Sequence, residues 1–384
     1  MPAHPVTRGD RGFGGRGGAA MIEPIYVPIL PTRPRAWKAF EALDTRLRSR
    51  IAPLWTIVPC VGPERARGER PALEPDDDRT VLEPWLVPLM DRLITAVDGA
   101  PGWIDASHVE SQVRGSAVGL WRLATRSGLR LVTGPERDHT LQRYTADLAF
   151  QSGRGLGIRI LVDEPPDERS SAALLGMVDR LCLPPSRTDL ILDMGEITAG
   201  DETDKGAIAA LDLLGTLLPW RTVVLASGAF PRFQEQGGAE FTHVVRRYDH
   251  QLNHLVHRSR PAFPRAVLYG DYSVEHVSAA NIPPSKDPYG PPWGLLRYTT
   301  PDDFLIARAP MRGRARAERV RELARWITEY EGFRGAEFSE GERWLQACAD
   351  GEGTKGSGNP ETWMKVGHIQ HMSFVVRRLM SAVE

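Results

Sequence analysis

Charged side chains stand in or directly after several short apolar segments of the sequence, where they could take part in acid/base or metal chemistry. Three of them are the carboxylates Asp105, Asp193 and Asp271. The segment Ile158–Asp163 carries a guanidinium at Arg159 and ends in a fourth carboxylate. Because a strand covered by helices must present an apolar outer face, the alternation along these segments predicts that the charged groups point inward.

Such a cluster of charges allows several kinds of chemistry. Carboxylates that lie close together cannot all ionise freely, so they share a proton, hold a hard cation or are neutralised by a neighbouring cation. The residues leave three interpretations open: an internal ion pair that fixes strand register, a clamp for an anionic ligand formed by Arg159, Arg297 and Tyr298, and a metal site. No particular cofactor or set of metal ligands is predicted.

Histidines form the next candidate group. His243, His250, His254 and His257 are seven, four and three residues apart, which predicts one narrow stripe of a single helix. Apolar residues occupy the opposite side of that predicted helix, so the stripe should face solvent. His371, in the last predicted helix, is the preferred imidazole for catalysis, and the alternative is that it anchors a C-terminal appendage.

Two further segments carry weaker signals. Gly351–Gly358 has a G-x-G-x-x-G spacing, but it follows a helix rather than a strand, which argues against a dinucleotide site or a P-loop. Lys355 in this segment could still close over an anionic ligand. Six arginines from Arg312 to Arg325 form a local basic patch without interleaved aromatics. Nucleic-acid binding there is possible but less favoured than a solvated helix.

The elements that must position these residues alternate regularly. Eight β-rich runs, each followed by an amphipathic pattern or loop, match a (β/α)8 TIM-like barrel, and an open doubly wound sheet is the alternative. The predicted strands are Tyr26–Leu30, Ile51–Pro59, Trp103–Ala106, Leu129–Thr133, Ile158–Asp163, Leu190–Met194, Thr222–Ala226 and Ala266–Tyr269. Helical patterns lie near residues 81–98, 109–126, 138–151, 168–182, 204–218 and 240–257.

The alternation ends near residue 275. Leu295–Thr299 and Phe304–Ala307 flank a Thr-Pro-Asp-Asp turn, which predicts a β-hairpin. Helices follow near 312–330, 339–349 and 360–382, and Asn359 followed by Pro360 is typical of a helix start. We predict a disordered Gly/Arg-rich tail over 1–20, a barrel over 21–275, and a hairpin-and-helix cap packed on the barrel over 276–384.

Composition bounds the class of protein. The 48 basic and 49 acidic residues leave a net charge of −1, so no overall field attracts nucleic acid or anionic lipid. Three cysteines at wide spacing fit neither a disulfide framework nor a zinc knuckle and favour a reducing compartment. No apolar run is long enough to span a membrane. The sequence therefore predicts a soluble, cytoplasmic protein with no membrane partner.

Several segments, taken in order, resemble the phage-type beta protein family, a group from bacteria and phages with no established biochemical activity. The resemblance covers about residues 24–381, and its most specific part is the block that begins at Trp363. It rests on Tyr26–Leu30, Ile51–Leu54, Gly270-Asp271-Tyr272, Arg297-Tyr298-Thr299, Phe333–Gly341, Trp363–Gly367, His371 and Phe374–Val376.

This chain departs from the family's pattern at three places. Members commonly carry a lysine-rich turn after the first strand, an acidic residue inside the second strand and a His-His pair in the last helix. Here Pro31-Thr32-Arg33, Thr56 and Gln370-His371 stand at those places. The resemblance therefore implies the fold more firmly than it implies any chemistry.

The residues predict a barrel that binds an anionic, nucleotide-like small molecule at the C-terminal ends of its strands. The resemblance implies a setting of phage defence or mobile-element conflict. The alternative is a non-enzymatic platform for a protein partner, and the sequence does not decide whether the protein is an enzyme. The candidate catalytic residues are Asp105, Asp193, Asp271 and His371, and the candidate ligand-binding residues are Arg159, Tyr272, Arg297, Tyr298 and Lys355.

Overall fold

A closed ring of parallel strands forms the body of the protein in a computed structural model, which describes residues 23–59, 79–110, 125–232, 241–259, 266–281, 293–351 and 357–382. Eight strands close into a barrel. They are β1 (Tyr26–Pro31), β2 (Leu54–Thr56), β3 (Trp103–Asp105), β4 (Arg130–Thr133), β5 (Leu156–Leu161), β6 (Thr188–Glu196), β7 (Thr222–Gly228) and β9 (Val267–Asp271). Because β9 pairs with β1 in parallel, the ring is complete. The predicted (β/α)8 TIM-like barrel is confirmed, and an open sheet is excluded.

Helices lie between the barrel strands. The described ones are α1 (Pro34–Glu41), α2 (Thr45–Arg48), α3 (Arg79–Val97), α4 (His139–Ser152), α5 (Glu168–Arg180), α6 (Asp201–Ala210) and α7 (Tyr248–Ser259). The side chains of Asp138 and Asp167 accept hydrogen bonds from backbone N–H groups in the first turns of α4 and α5, which fixes where those helices begin. The tail over 1–20, most of the helix predicted near 109–126, and Lys355 lie outside the described residues.

Side chains fill the interior of the barrel. Ile29, Leu54 and Trp103 belong to an inner apolar cluster to which β6 contributes Ile191. The neighbouring residues of β6, Leu190 and Leu192, belong to the main core between strands and helices. Strand alternation therefore places Asp189 and Asp193 on the inner face of β6, at opposite ends of the strand.

A second sheet stands beside the barrel. β10 (Trp293–Thr299) and β11 (Asp303–Pro310) form the predicted hairpin, which is confirmed. The third strand, β8 (Thr242–Arg246), pairs antiparallel with β11. The single helix predicted over 240–257 is therefore wrong in its first part, because the β-branched residues of β8 find a pairing partner that overrides the helical pattern.

Three helices complete the C-terminal part of the chain: α8 (Arg316–Thr328), α9 (Glu340–Asp350) and α10 (Pro360–Ser381). With β8, β10 and β11 they make up the unit that we call the appendage. The Asn359 side chain accepts a hydrogen bond from the Thr362 N–H at 3.0 Å, so the predicted start of α10 is confirmed. Because α10 packs against both α1 and β10, it joins the appendage to the barrel and brings appendage residues to the C-terminal ends of β7, β9 and β1.

Candidate functional site

The C-terminal end of the barrel interior contains a closed set of charged groups, which we call the Arg159 cluster. Arg159 on β5 donates through Nε to Asp193 at 2.9 Å and through Nη1 to Asp105 at 2.7 Å. The Tyr272 hydroxyl donates to Asp193 at 2.6 Å. Arg137 donates to the second oxygen of Asp105 at 2.9 Å. Both aspartates are fully buried, so the alternation that predicted inward positions for Arg159, Asp105 and Asp193 is confirmed.

The charges of the Arg159 cluster neutralise one another. Burial alone would raise the pKa of Asp105, but Arg137 and Arg159 outweigh it and hold that pKa below its usual range. Burial, followed by the neighbouring Asp193, raises the pKa of the Tyr272 hydroxyl well above its usual value. Two guanidiniums thus face Asp105, Asp193 and a neutral phenol, and Arg137 also donates to Glu110 at 3.0 Å. This geometry matches the internal ion pair, the first of the three interpretations.

Two hydroxyls beside Asp105 are not part of this closed set. Thr56 lies opposite Asp105 in the register of β2 and β3, and its buried Oγ1 has no hydrogen-bond partner among the described residues. The same holds for Oγ of Ser107, whose backbone N–H donates to Asp105. Buried hydroxyls of this kind are normally satisfied by water or by a ligand atom. Within the described ranges, no group of three or more His, Cys, Asp or Glu side chains is placed to hold a metal ion.

Asp271 does not join the Arg159 cluster, so its predicted inward orientation is wrong. Gly270 and Tyr272 take the inward positions at the end of β9, and Asp271 faces α10 instead. It accepts hydrogen bonds from Tyr26 at 2.5 Å and pairs with Nε2 of His371 at 2.9 Å. An outer strand face can carry a charge here because the appendage, rather than an apolar barrel helix, covers it.

His371 is fully buried between the two units of the protein. Its Nδ1 lies 2.9 Å from Oγ1 of Thr299 on β10, while its Nε2 contacts Asp271 of the barrel. The neighbouring Gln370 accepts from the Thr299 N–H at 2.8 Å and donates to the Thr299 carbonyl at 2.9 Å. His371 thus connects the appendage to the barrel through its two ring nitrogens. The catalytic role of His371 stays a prediction.

Two further predicted positions lie elsewhere. Asp163 follows the end of β5 and is exposed, so it does not share the barrel mouth with the other carboxylates. Tyr298 is buried in the appendage, where its hydroxyl lies 3.3 Å from Glu342 and accepts from the Arg334 N–H at 3.1 Å. The predicted clamp of Arg297 with Tyr298 is wrong, because consecutive residues of a strand point to opposite faces.

Arg297 lies at the C-terminal ends of the barrel strands. Its guanidinium carbon stands 5.3 Å from the ring centre of Phe230, which follows β7. One nitrogen donates to the Leu295 carbonyl at 2.9 Å, and Nε has no hydrogen-bond partner among the described residues. Within the described ranges Arg297 forms no ion pair with a carboxylate, although part of its surface stays accessible.

The groups around Arg297 form what we call the rim cluster. Glu275, which follows β9, accepts from Arg35 of α1 at 3.1 Å. Arg35 also reaches Glu361 at 3.4 Å, and the second oxygen of Glu275 lies 3.1 Å from Nε2 of His368. The rim cluster consists of Arg33, Arg35, Glu275, Arg297, Glu361 and His368.

The rim cluster carries more positive than negative charge. Burial lowers the pKa of Arg297 to about 10, with Glu275 opposing and Arg35 adding to the shift. Burial and Arg35 likewise lower the pKa of Arg33. Burial lowers the pKa of His368 despite its contact with Glu275, which favours the neutral imidazole. Among the described residues the rim cluster holds three guanidiniums and two carboxylates, and Arg297 donates a hydrogen bond to neither carboxylate.

Most of the rim cluster was not predicted. Arg297 was among the candidate ligand residues, but Arg33, Arg35 and Glu275 were not. A signal for two of them is present in the sequence, since Arg33 and Arg35 directly follow β1, where family members carry a lysine-rich turn. Loop residues at the strand ends of a barrel come together only when the barrel closes. The order of the strands around the barrel cannot be derived from one sequence.

The histidine stripe and the basic helix also differ from expectation. His243 lies on β8, and His250 is buried with its Nε2 2.9 Å from that of His254. Burial, followed by Arg247, lowers the pKa of His250 to about 3. The predicted solvent-facing stripe is therefore wrong for His243, which is not on the helix, and for His250, which α7 turns toward the protein, whereas His254 and His257 are exposed as predicted. In the basic helix, two arginines donate to carbonyls of the appendage, so part of the patch serves packing.

Fold and site together define an α/β protein with a TIM-like barrel and a rim of positive charge completed by its appendage. The family model described as Beta protein matches residues 26–377, so the chain belongs to the Beta protein family. A search of the curated proteins finds no match. No helix among the described residues is long and apolar enough to cross a bilayer.

Proposed function

We propose that the protein binds an anionic, nucleotide-like small molecule at the C-terminal ends of β7, β9 and β1, with Arg297 as the principal contact. The observation that carries this proposal is the partly buried guanidinium of Arg297, whose Nε has no hydrogen-bond partner and which forms no ion pair among the described residues. A buried charge is costly unless it is paired, so an anion at Arg297 relieves a cost that the protein otherwise bears.

The position of Arg297 supports a phosphate-bearing ligand. In TIM-like barrels the loops after the seventh and eighth strands frequently form a phosphate site, and β7 and β9 are those strands here. A guanidinium offers several donors in a plane that matches phosphate oxygens. Arg33 and Arg35 add charge beside it. Contacts from Arg159, Tyr272 and Lys355 to the ligand stay predictions.

Calorimetric titration of ADP into the full chain tests the proposal. Arg297→Gln should weaken ADP binding about 10- to 100-fold, because a hydrogen bond to a charged group contributes about 1.5–3 kcal/mol. Arg126→Gln is the matched control, since Arg126 forms an exposed ion pair with Asp91 and does not belong to the rim cluster. Equal ADP affinity in wild type and Arg297→Gln, with both proteins folded, would overturn the proposal.

Catalysis and biological setting go beyond ligand binding. Acid/base roles for Asp105, Asp193, Asp271 and His371 stay predictions, which an assay of ADP and ATP turnover with Asp193→Asn would test. A role in phage defence or mobile-element conflict rests on the family resemblance. Plaque counts on cells that express wild type or Arg297→Gln test it, and equal counts with both would contradict it.

A protein-interaction platform is the second candidate function, and one feature of the appendage favours it. β8 is the edge strand of the second sheet, and Phe241 and Val244 are about half exposed there. An exposed edge of this kind can accept an extended segment of a partner as an added strand. Val244→Lys should abolish capture of such a partner and leave ADP binding unchanged.

A further inference from the structure

The end of the barrel opposite the rim cluster opens into a cleft of about 840 Å³. Its lining comes from the N-terminal ends of the strands, where Ala52 precedes β2, Arg130 begins β4, Thr222 begins β7 and Leu268 lies near the start of β9. The volume lies in the range of about 300–1,000 Å³ that small-molecule sites occupy. Neither Arg297 nor the Arg159 cluster contributes to this cleft.

The inner end of the cleft carries surplus positive charge. Fully buried Asp189 accepts from the Trp103 indole at 2.8 Å, from Arg221 at 2.7 and 2.6 Å, and from Arg130 at 3.2 Å. One carboxylate therefore serves two guanidiniums. Arg221 uses its remaining nitrogen to donate to the Arg154 carbonyl at 2.8 Å, so its hydrogen-bonding groups are committed.

Arg130 is one of three arginines that line the cleft, with Arg48 and Arg154. Its Nη1 contacts Asp189, its carbon lies 5.4 Å from the ring centre of Trp103, and 26% of the side chain remains exposed. Burial lowers the pKa of Arg130, Asp189 opposes the shift and Arg221 adds to it. The guanidinium of Arg130 binds Asp189 through one nitrogen and lines an open cleft. Because a guanidinium is planar and carries several donors, it can bind a second carboxylate there.

We propose that this cleft is a second ligand site, which binds a monocarboxylate with a compact apolar body. The carboxylate contacts Arg130, and the apolar body packs on Val97, Ala100 and Leu268 of the cleft wall. Arg48 and Arg154 also line the cleft, but Arg48 is paired with Asp98 at 3.6 Å and Arg154 has partners of its own. A single negative charge is preferred because Glu23 lines the cleft as well and would repel a second one. The two ends of the barrel therefore differ in ligand class.

Fluorine NMR of 4-(trifluoromethyl)benzoate with the full chain tests this second site. We expect wild type to broaden and shift the fluorine resonance at millimolar probe or below, and Arg130→Gln to weaken binding at least tenfold. Arg130→Gln should still fold, because Arg221 continues to hold Asp189 through two hydrogen bonds. Arg126→Gln is the control for loss of one surface guanidinium.

Three results would overturn the second site. These are an unchanged probe signal with wild type, equal probe affinity in Arg130→Gln and wild type, and competition by inorganic pyrophosphate as strong as by unlabelled benzoate. Arg297→Gln should bind the probe as wild type does, so failure of the rim site and failure of this cleft are separate outcomes.

Discussion

Arg159 and Arg297 are two guanidiniums at the same end of one barrel, yet their surroundings differ. Arg159 meets two carboxylates and a phenol, and each of its nitrogens contacts an oxygen. Arg297 has one backbone carbonyl and one aromatic ring. Burial of a charge is therefore not in itself a sign of function. What distinguishes the two arginines is whether a carboxylate of the described residues accepts a hydrogen bond from the guanidinium.

The origin of the two arginines explains this difference. Arg159 and its partners all come from the barrel, where neighbouring strands hold them at fixed spacing. Arg297 comes from β10, so it reaches the rim only because α10 joins the appendage to the barrel. The appendage thus brings Arg297 and Glu361 to a barrel end that already carries Arg33, Arg35 and Glu275. Substitution and acid should therefore affect the stability of the protein very differently at balanced and at unbalanced charges.

Removal of the Arg159 guanidinium should cost the most stability. Arg159→Met leaves Asp193 as a buried charge without a counter-charge and takes one of two guanidiniums from Asp105, which typically costs about 3–5 kcal/mol. Urea unfolding of wild type and variant measures the loss. If the free energy of unfolding fell by less than about 1 kcal/mol, the Arg159 cluster would not stabilise the barrel, and Arg159 would not differ from Arg297 in this respect.

Acid should destabilise the Arg159 cluster in a defined pH window. Because the folded pKa of Asp105 is held below its usual value, the stability from its ionised form is complete above about pH 4 and is lost as pH falls toward the folded pKa. Urea unfolding at several pH values should show a smaller loss between about pH 4 and 2 for Asp105→Asn than for wild type. Parallel curves for both proteins would refute this assignment.

His250 should give a separate pH dependence at higher pH. Burial, followed by Arg247, lowers its folded pKa to about 3, so the unfolded chain takes up a proton first as pH falls below about 6.5. The stability that the neutral, buried imidazole contributes is therefore fully present above about pH 6.5 and is lost as the pH falls toward 3. Between pH 7 and 5, His250→Gln should lose less stability than wild type in chemical unfolding. An identical loss in both would contradict the buried neutral state of His250.

Loss of the Arg297 guanidinium should hardly change stability. Arg297→Met breaks no ion pair among the described residues, so the free energy of unfolding should change by less than about 1 kcal/mol. Thermal and urea unfolding without ligand measure this directly. A loss as large as that of Arg159→Met would show that Arg297 has an unrecognised structural partner.

The difference between contacts within the barrel and contacts with the appendage also explains which positions the sequence could predict. Alternation within β5 and β6 was enough to place Arg159 and Asp193 inside the barrel, because strand geometry fixes which residues share a face. It failed for Asp271, where the outer face is covered by polar contacts from α10. The sequence pattern also did not predict β8. This strand has only five residues and leads almost directly into α7, so the two elements together resemble one helical pattern.

The rim cluster was beyond such local rules. Arg35, Glu275 and Arg297 come from the first helix, the end of the barrel and the hairpin of the appendage. Sequence periodicity predicts the direction of a side chain within its own element, but not which distant loops meet. The eight-strand count and the hairpin were predictable because each depends on a local pattern with known turn residues.

A crystal structure of the full chain with bound pyrophosphate would distinguish Arg297 from Arg159 as the anion contact. We expect phosphate oxygens at hydrogen-bond distance, about 2.7–3.2 Å, from Nε or a terminal nitrogen of Arg297, with Arg159 still paired to its two aspartates. Pyrophosphate bound against Arg159 inside the barrel, with Arg297 free of it, would refute an anion site at the rim.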